Sequence, residues 1–378
     1  MRVVHVIDSL GGSGGAEHGL VREITRFSPS ADQVVVRLFS KDHLEAELHS
    51  AGIEVVPLGL RSARAGWNWP LAVRRLTGVL RMTAPDVIHS SLFTANLVAQ
   101  HAGARASIPV LSTFTLSGDP RLLRRFQPGA ASWRASLLRA FAARAARHRG
   151  VWFRALTSDA KETNARLLGV DPDRVTVLPR GIETDLIPGI PLSRRELDLP
   201  ADAPLVVNVG RQTAQKGHIS LLTAFEQVRR EVDSHLLIIG REGDATQTIR
   251  QFIRTHDLGS SVTLVGYTPY VHHYMAHASV FVFSSFMEGL GTSVLEAMEM
   301  KLPVVAYGIP PVREATDDGR LARLVPPGDE AALAEGIIES LADPAPVDDA
   351  RQWVRSHFAI DTVAARLESM LVEMTRRP

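Results

Sequence analysis

The chain predicts an α/β fold built from two doubly wound parallel sheets, one following the other along the sequence. Three observations predict it. Short β-branched runs alternate with longer amphipathic segments over almost the whole length. The alternation restarts near residue 205, after a stretch rich in proline and polar residues. The 378 residues, 45% of them apolar, exceed one ordinary domain and can fill two cores.

In the first half the strand runs are Val3–Ile7, Gln33–Phe39, Glu54–Pro57, Asp86–His89, Val110–Phe114, Val151–Leu156 and Val175–Leu178. Helical segments such as Glu17–Phe27 and Leu71–Thr83 separate them. Pro188, Pro191 and Pro200 mark residues 183–202 as a linker, so the first domain is read as 1–182. The second domain, 203–359, has strand runs Leu205–Val209, His235–Ile239, Ser261–Val265, Ser279–Phe283, Val304–Tyr307 and Ala322–Val325. Its helical segments include Ile219–Glu231, Thr246–His256, Gly291–Met300 and Glu330–Leu341. The final helix, Asp361–Met374 within 360–378, is expected to pack back on the first domain. Two such sheets would face each other across a cleft, with ligands beyond the carboxyl ends of the strands.

Composition removes several function classes. A formal charge of +1 gives no overall signal for nucleic acid or another polyanion. No cysteine is present, so disulfides, thiolate metal sites and cysteine nucleophiles are excluded. No apolar run is long enough to span a bilayer. The N-terminus reads as a first strand and not a signal peptide, which points to a cytoplasmic protein.

The loop Gly11-Gly-Ser-Gly-Gly-Ala-Glu17 follows the first strand, where glycines let backbone approach a ligand closely. A nicotinamide site is the obvious rival. It is disfavoured by Glu17 at the third glycine position and by the lack of an acid at the end of Val34–Phe39. In the second half, Gly210-Arg-Gln-Thr-Ala-Gln-Lys-Gly217 follows a strand but lacks the ending of a P-loop. Arg211 can grip two phosphate oxygens and Lys216 can add a point charge. Glu288-Gly-Leu-Gly-Thr-Ser-Val-Leu-Glu296 reads as a tight turn entering a helix. A helix start suits an anion, and two carboxylates around it suit hydroxyl groups. Together these features suggest a nucleotide sugar. The pair Asp171 and Asp173 lies in a turn and reads as a solvated loop, so no metal is expected.

These motifs resemble family 4 glycosyltransferases of the GT-B fold, which has two Rossmann-like domains. The matching pieces are Val209-Gly-Arg, Lys216-Gly217, Leu237-Ile-Ile-Gly240, Val262-Thr-Leu-Val-Gly266, the Glu288/Glu296 pair and Pro303-Val-Val-Ala306. In the first half they are Gly14-Gly-Ala-Glu17, Pro85-Asp-Val-Ile-His89, Thr157-Ser158 and Val175-Thr-Val-Leu-Pro-Arg-Gly-Ile182. The resemblance implies a retaining, metal-independent transfer of a hexose from a UDP- or GDP-type donor to a hydroxyl of an unidentified acceptor. It implies no cofactor. Arg211 and Lys216 would neutralise the diphosphate, and Glu296 would accept from the ribose diol. Glu288 with the amides of Gly289, Leu290, Gly291 and Thr292 would meet the sugar and distal phosphate. Gly14, Gly15, Glu17, His89 and Thr115 would line the acceptor side. The alternatives are a nucleotide-sugar epimerase or isomerase, and a catalytically silent binding protein.

Two positions depart from the family pattern. Ser112-Thr-Phe-Thr-Leu-Ser117 carries no histidine near the sugar, leaving Thr113 or Thr115 as the polar groups there. Arg180 stands where relatives have asparagine. The stretch Arg121–Arg154 contains nine arginines and no acid, with Trp133, Leu137, Leu138 and Phe141 at helical spacing. It reads as a core-facing helix with a solvated basic face. The alternative is peripheral contact with an anionic membrane or acceptor.

Overall fold

The computed structural model describes residues 1–11, 15–60, 69–126, 133–343 and 347–376, with 133–135 in backbone only. The chain divides into two compact units, Met1–Gly181 with Ile360–Pro378, and Ile182–Ala359.

The first unit is built on β1 (Arg2–Ile7), β2 (Asp32–Phe39), β3 (Glu54–Leu60), β4 (Val87–Ser91), β5 (Val110–Phe114), β6 (Val151–Ala155) and β7 (Val175–Val177). They form one parallel sheet in the order β3-β2-β1-β4-β5-β6-β7. The winding direction reverses between β1 and β4. Strands covered on both faces need apolar residues at every position, which is why these runs are nearly unbroken in Val, Ile and Leu. Alternate residues then serve opposite faces. Val4 and Val6 join a cluster with Ala72, Leu76 and Val98, whereas Val3 and Ile7 join Leu20, Ile24 and Leu48.

The helix Ile360–Thr375 belongs to this unit. Its Val363, Leu367, Leu371 and Met374 recur every three or four residues and are buried beside Val3 and Ile7. The Ser28 amide donates to Glu368 at 3.0 Å, tying the helix to the start of the chain.

The second unit repeats the plan with β8 (Leu205–Val209), β9 (His235–Ile239), β10 (Val262–Gly266), β11 (Val280–Phe283), β12 (Val304–Tyr307) and β13 (Arg323–Val325). The order is β10-β9-β8-β11-β12-β13, so the switch lies between β8 and β11. The stretch 183–202, expected as connecting chain, is packed onto this unit: Leu197 and Leu199 are buried with Leu205 and Met275.

A buried charged cluster sits in the first unit. Arg154 on β6 is fully buried and donates to both oxygens of Glu23, at 2.8 and 2.6 Å. It also donates to the carbonyls of Leu178 and Pro179. Arg180 is buried beside them and donates to the Gly15 carbonyl at 3.0 Å. Its side chain passes over helix Gly15–Ile24 at Gly19, where a Cβ would lie 2.0 Å from Arg180 Cδ. Burial lowers the Arg180 guanidinium to about 10, against the opposing pull of Glu23. The basic stretch 121–154 is therefore not uniformly a surface feature, because its last arginine is an interior ion-pair partner.

Candidate active site

In the second unit, the switch between β8 and β11 places the loops after those strands side by side. They interlock through backbone. Ser284 Oγ donates to the Lys216 carbonyl at 3.0 Å, and the Phe286 amide donates to the Gln215 carbonyl at 2.8 Å. The approach is so close that a Cβ on Gly217 would sit 2.1 Å from the Ser284 carbonyl oxygen. Gly217 also has φ +66°, so the position requires glycine twice over.

This register brings two of the expected residues together. Lys216 Nζ lies 2.5 Å from Glu288 Oε1, with side chains 19% and 12% exposed. The ammonium also stands 5.6 Å from the centre of the Phe283 ring. Arg211 opens the same loop, and its residue is exposed. Gly289, Leu290 and Gly291 carry the chain from Glu288 to the helix Thr292–Glu299. Gly291 has φ +80° and no side chain caps this helix start. Its first amides and partial positive charge thus flank the Lys216–Glu288 pair in sequence and strand position. Ser293 Oγ donates to the Val209 carbonyl, anchoring the helix start to the end of β8. Glu296 lies one turn further and is half-buried.

One residue here escaped the sequence reading. His218, two residues after Lys216, is 2% exposed, and of the protein groups around it only the Thr213 backbone approaches its ring as a hydrogen-bond partner, short of good geometry. Burial, then the Lys216 charge, lowers its pKa to about 4. Its position directly after Lys216-Gly217 was the only signal for it.

In the first unit the acceptor-side candidates separate. Gly14 lies outside the described residues. Gly15 starts helix Gly15–Ile24, and Glu17 accepts from the Ser9 hydroxyl. Asp8, beyond β1, accepts the Ala95 amide at 2.7 Å; burial raises its carboxyl to about 6. His89 falls within β4, because that strand runs on to Ser91, and it is 1% exposed. Its Nδ1 lies 3.1 Å from His5 Nδ1, and its Nε2 lies 3.2 Å from Thr113 Oγ1. His89 is thus an interior link and not a surface group. Thr115 is half-buried beyond the end of β5 and lines a cavity. Leu92, which precedes helix Phe93–Ala106 and lines the same cavity, has φ +79° and ψ 158°. That region is nearly confined to glycine and costs on the order of 1–3 kcal/mol, a strain that gathers at functional sites.

The buried histidines make stability fall in acid. Burial lowers His5 to about 4 and His89 well below 6.5. His218 behaves alike. A depressed folded pKa contributes stability that is full above 6.5 and is lost as pH falls toward 4. Asp8 acts in the opposite sense, since its raised pKa favours the folded state at low pH. Two histidines near 4 each lose about 2 kcal/mol by pH 5, and Asp8 returns about 1.4. His89 adds a further loss in the same direction, so Tm at pH 5 should lie below Tm at pH 7.5 by an amount exceeding about 2.6 kcal/mol; an unchanged Tm would contradict the burial of these rings.

Among the described residues, no group of three or more His, Asp or Glu is placed to hold a metal, and no helix is long and apolar enough to cross a membrane.

Comparison with known proteins gives a consistent assignment. Residues 190–357 match the family described as glycosyl transferases group 1, and residues 14–181 match the glycosyl transferase 4-like domain. A 2-deoxystreptamine N-acetyl-D-glucosaminyltransferase of Streptomyces fradiae is 29% identical over 73% of this chain. A GDP-mannose-dependent alpha-(1-6)-phosphatidylinositol monomannoside mannosyltransferase of Mycobacterium tuberculosis is 29% identical over 51% of it. The chain spans 67% and 54% of these two relatives' own lengths. Among solved structures, Anabaena HepE in complex with UDP and glucose aligns with a TM-score of 0.82 at 19% identity, covering 98% of this chain and 99% of that one. The two parallel sheets are thus the two Rossmann-like domains of the GT-B architecture, and the chain belongs to the family 4 glycosyltransferases.

Proposed function

We propose that this glycosyltransferase moves a hexose from a UDP- or GDP-type donor to a hydroxyl of its acceptor, with retention of anomeric configuration and without a bound metal. The observation that carries the reading is the Lys216–Glu288 pair at the β8/β11 switch, beside an uncapped helix start. As the donor C1–O bond breaks, charge grows on the departing diphosphate. Lys216, Arg211 and the amides of Gly289 to Thr292 offset that charge with fixed cations and dipoles. The acceptor oxygen bonds to C1 on the same face, and its proton passes to the departing phosphate oxygen. Glu288, displaced from Lys216 by the diphosphate, turns to the sugar hydroxyls, and Glu296 accepts from the ribose diol. A cytoplasmic setting belongs to the same proposal. The relatives' donors support both bases: HepE was crystallised with UDP, and the Mycobacterium enzyme is named for GDP-mannose.

Adding UDP or GDP at one hundred times Kd should stabilise the fold by about 2.7 kcal/mol, several degrees in Tm. If no nucleoside diphosphate raises Tm, the donor site is misassigned. Release of free nucleoside diphosphate, instead of an altered nucleotide sugar, separates transfer from epimerisation.

A further inference from the structure

The first unit contains a cavity of about 440 Å³ that the donor chemistry does not use. Helices Phe93–Ala106, Pro120–Phe126, Trp133–Ala146 and Ser158–Leu168 surround it at the carboxyl end of β5. The hollow is partly open to solvent, and its volume suits a small ligand.

Its walls are mainly apolar: Leu97, Leu123, Leu138, Ala142 and Leu167 line it. Thr115 and Arg139 also line it, and several of the other polar residues there are already engaged. Asn96 donates to the Thr113 carbonyl at 3.0 Å and accepts from Ser90. Gln100 donates to Ser112. Polar side chains held this way ask little of a ligand, so the cavity suits an apolar group.

The surrounding surface adds charge. Arg121 and Arg124 are exposed on the helix that contributes Leu123, and Arg144 is exposed on the helix that contributes Leu138 and Ala142. Phe93, Leu137 and Phe141 remain 49%, 40% and 37% exposed on the surrounding helices. Asp119 and Asp159 flank the basic stretch in sequence, and no acid lies between them. An apolar cavity among exposed cations and aromatic or aliphatic side chains fits a molecule with an apolar chain and an anionic group. Thr115 lies at the strand end, where ligands of doubly wound sheets bind.

We infer that the acceptor is an anionic amphiphile: its apolar chain occupies the cavity between helices Phe93–Ala106 and Trp133–Ala146, and its charged group meets the exposed Arg121, Arg124 and Arg144. This rests on the transferase reading, because it names the acceptor class for that reaction. The hollow is partly open to the surface, so one chain can enter it from outside, and its volume of about 440 Å³ matches a single chain and not a membrane surface.

The test uses octyl, decyl and dodecyl phosphate below their micelle concentrations, with the intact protein in a calorimeter. Affinity should rise about fourfold per added methylene until the cavity is full, and alkyltrimethylammonium ions of equal length should bind more weakly. Ala142→Trp, which fills the cavity, should remove the chain-length dependence while UDP or GDP binding persists. Leu138→Trp, at a half-buried wall position, repeats the test should the first variant not fold. Chain-length-independent binding, or the same dependence in both variants, overturns the inference. So does binding confined to phosphatidylglycerol vesicles and unaffected by either variant. Nucleoside diphosphate binding without alkyl phosphate binding discards the cavity assignment alone. Alkyl phosphate binding in a protein that takes no nucleoside diphosphate keeps the cavity and discards the transferase reading.

Discussion

Lys216→Ala should lower kcat/KM for sugar transfer by about 10²- to 10³-fold, the usual cost of removing one fixed group from a developing anion. The loss should appear mainly in kcat, because charge on the diphosphate grows only as the bond breaks. The ion pair with Glu288 complicates a single substitution. Removing Lys216 leaves a mostly buried carboxylate without its partner, which costs stability as well as activity. The double variant Lys216→Ala, Glu288→Gln separates the two effects. It should recover Tm and leave transfer impaired. Wild-type transfer in the double variant would mean that the pair is structural and that the diphosphate is held elsewhere.

Glu23→Gln should cost about 3–5 kcal/mol, the largest stability loss expected from a single substitution here. Burial alone would raise the Glu23 carboxyl, yet the neighbouring Arg154 and Arg180 guanidinia hold it below its ordinary value. Two buried cations already share one carboxylate. Removing that charge leaves Arg154 and Arg180 facing each other in a region without solvent. The amide cannot restore the lost charge, and it can accept at only one of its two ends. Against a total stability of roughly 5–15 kcal/mol, the variant should unfold at a much lower urea midpoint. A loss below about 1 kcal/mol would show that the cluster is hydrated or can rearrange.

Much of the fold was legible because parallel strands carry their own signature. Runs such as Val34-Val-Val and Leu236-Leu-Ile-Ile are buried on both faces and need no partner to be recognised. Boundaries moved where polar residues are buried. β4 continues through Ser90 and Ser91 because Ser90 bonds to Asn96 and Ser112, a non-local reason. Helix Phe93–Ala106 was not singled out, since its alanines and glycine give little contrast between faces and half of it is buried. At the site, Arg211 and Lys216 stood out in the loop after β8, Glu288 in the loop after β11, and Glu296 on the helix that this loop enters. That Lys216 and Glu288 meet depends on strand order, since they are 72 positions apart in sequence. The Glu23–Arg154 pair, separated by 131 residues, gave no sequence signal, and neither did the four-helix cavity.

The return of helix Ile360–Thr375 to the first unit has a consequence for synthesis. Val3, Ile7 and Leu20 complete their core only when Val363, Leu367 and Leu371 arrive. The unit translated first is therefore the last to be finished. While the second unit emerges from the ribosome and closes its own sheet, one face of the first still lacks its final apolar cover. Such a surface invites association with chaperones or with other chains. Helix Ile360–Thr375 then acts as a latch, and a stop codon shortly before it would leave both sheets encoded but only one of them fully enclosed.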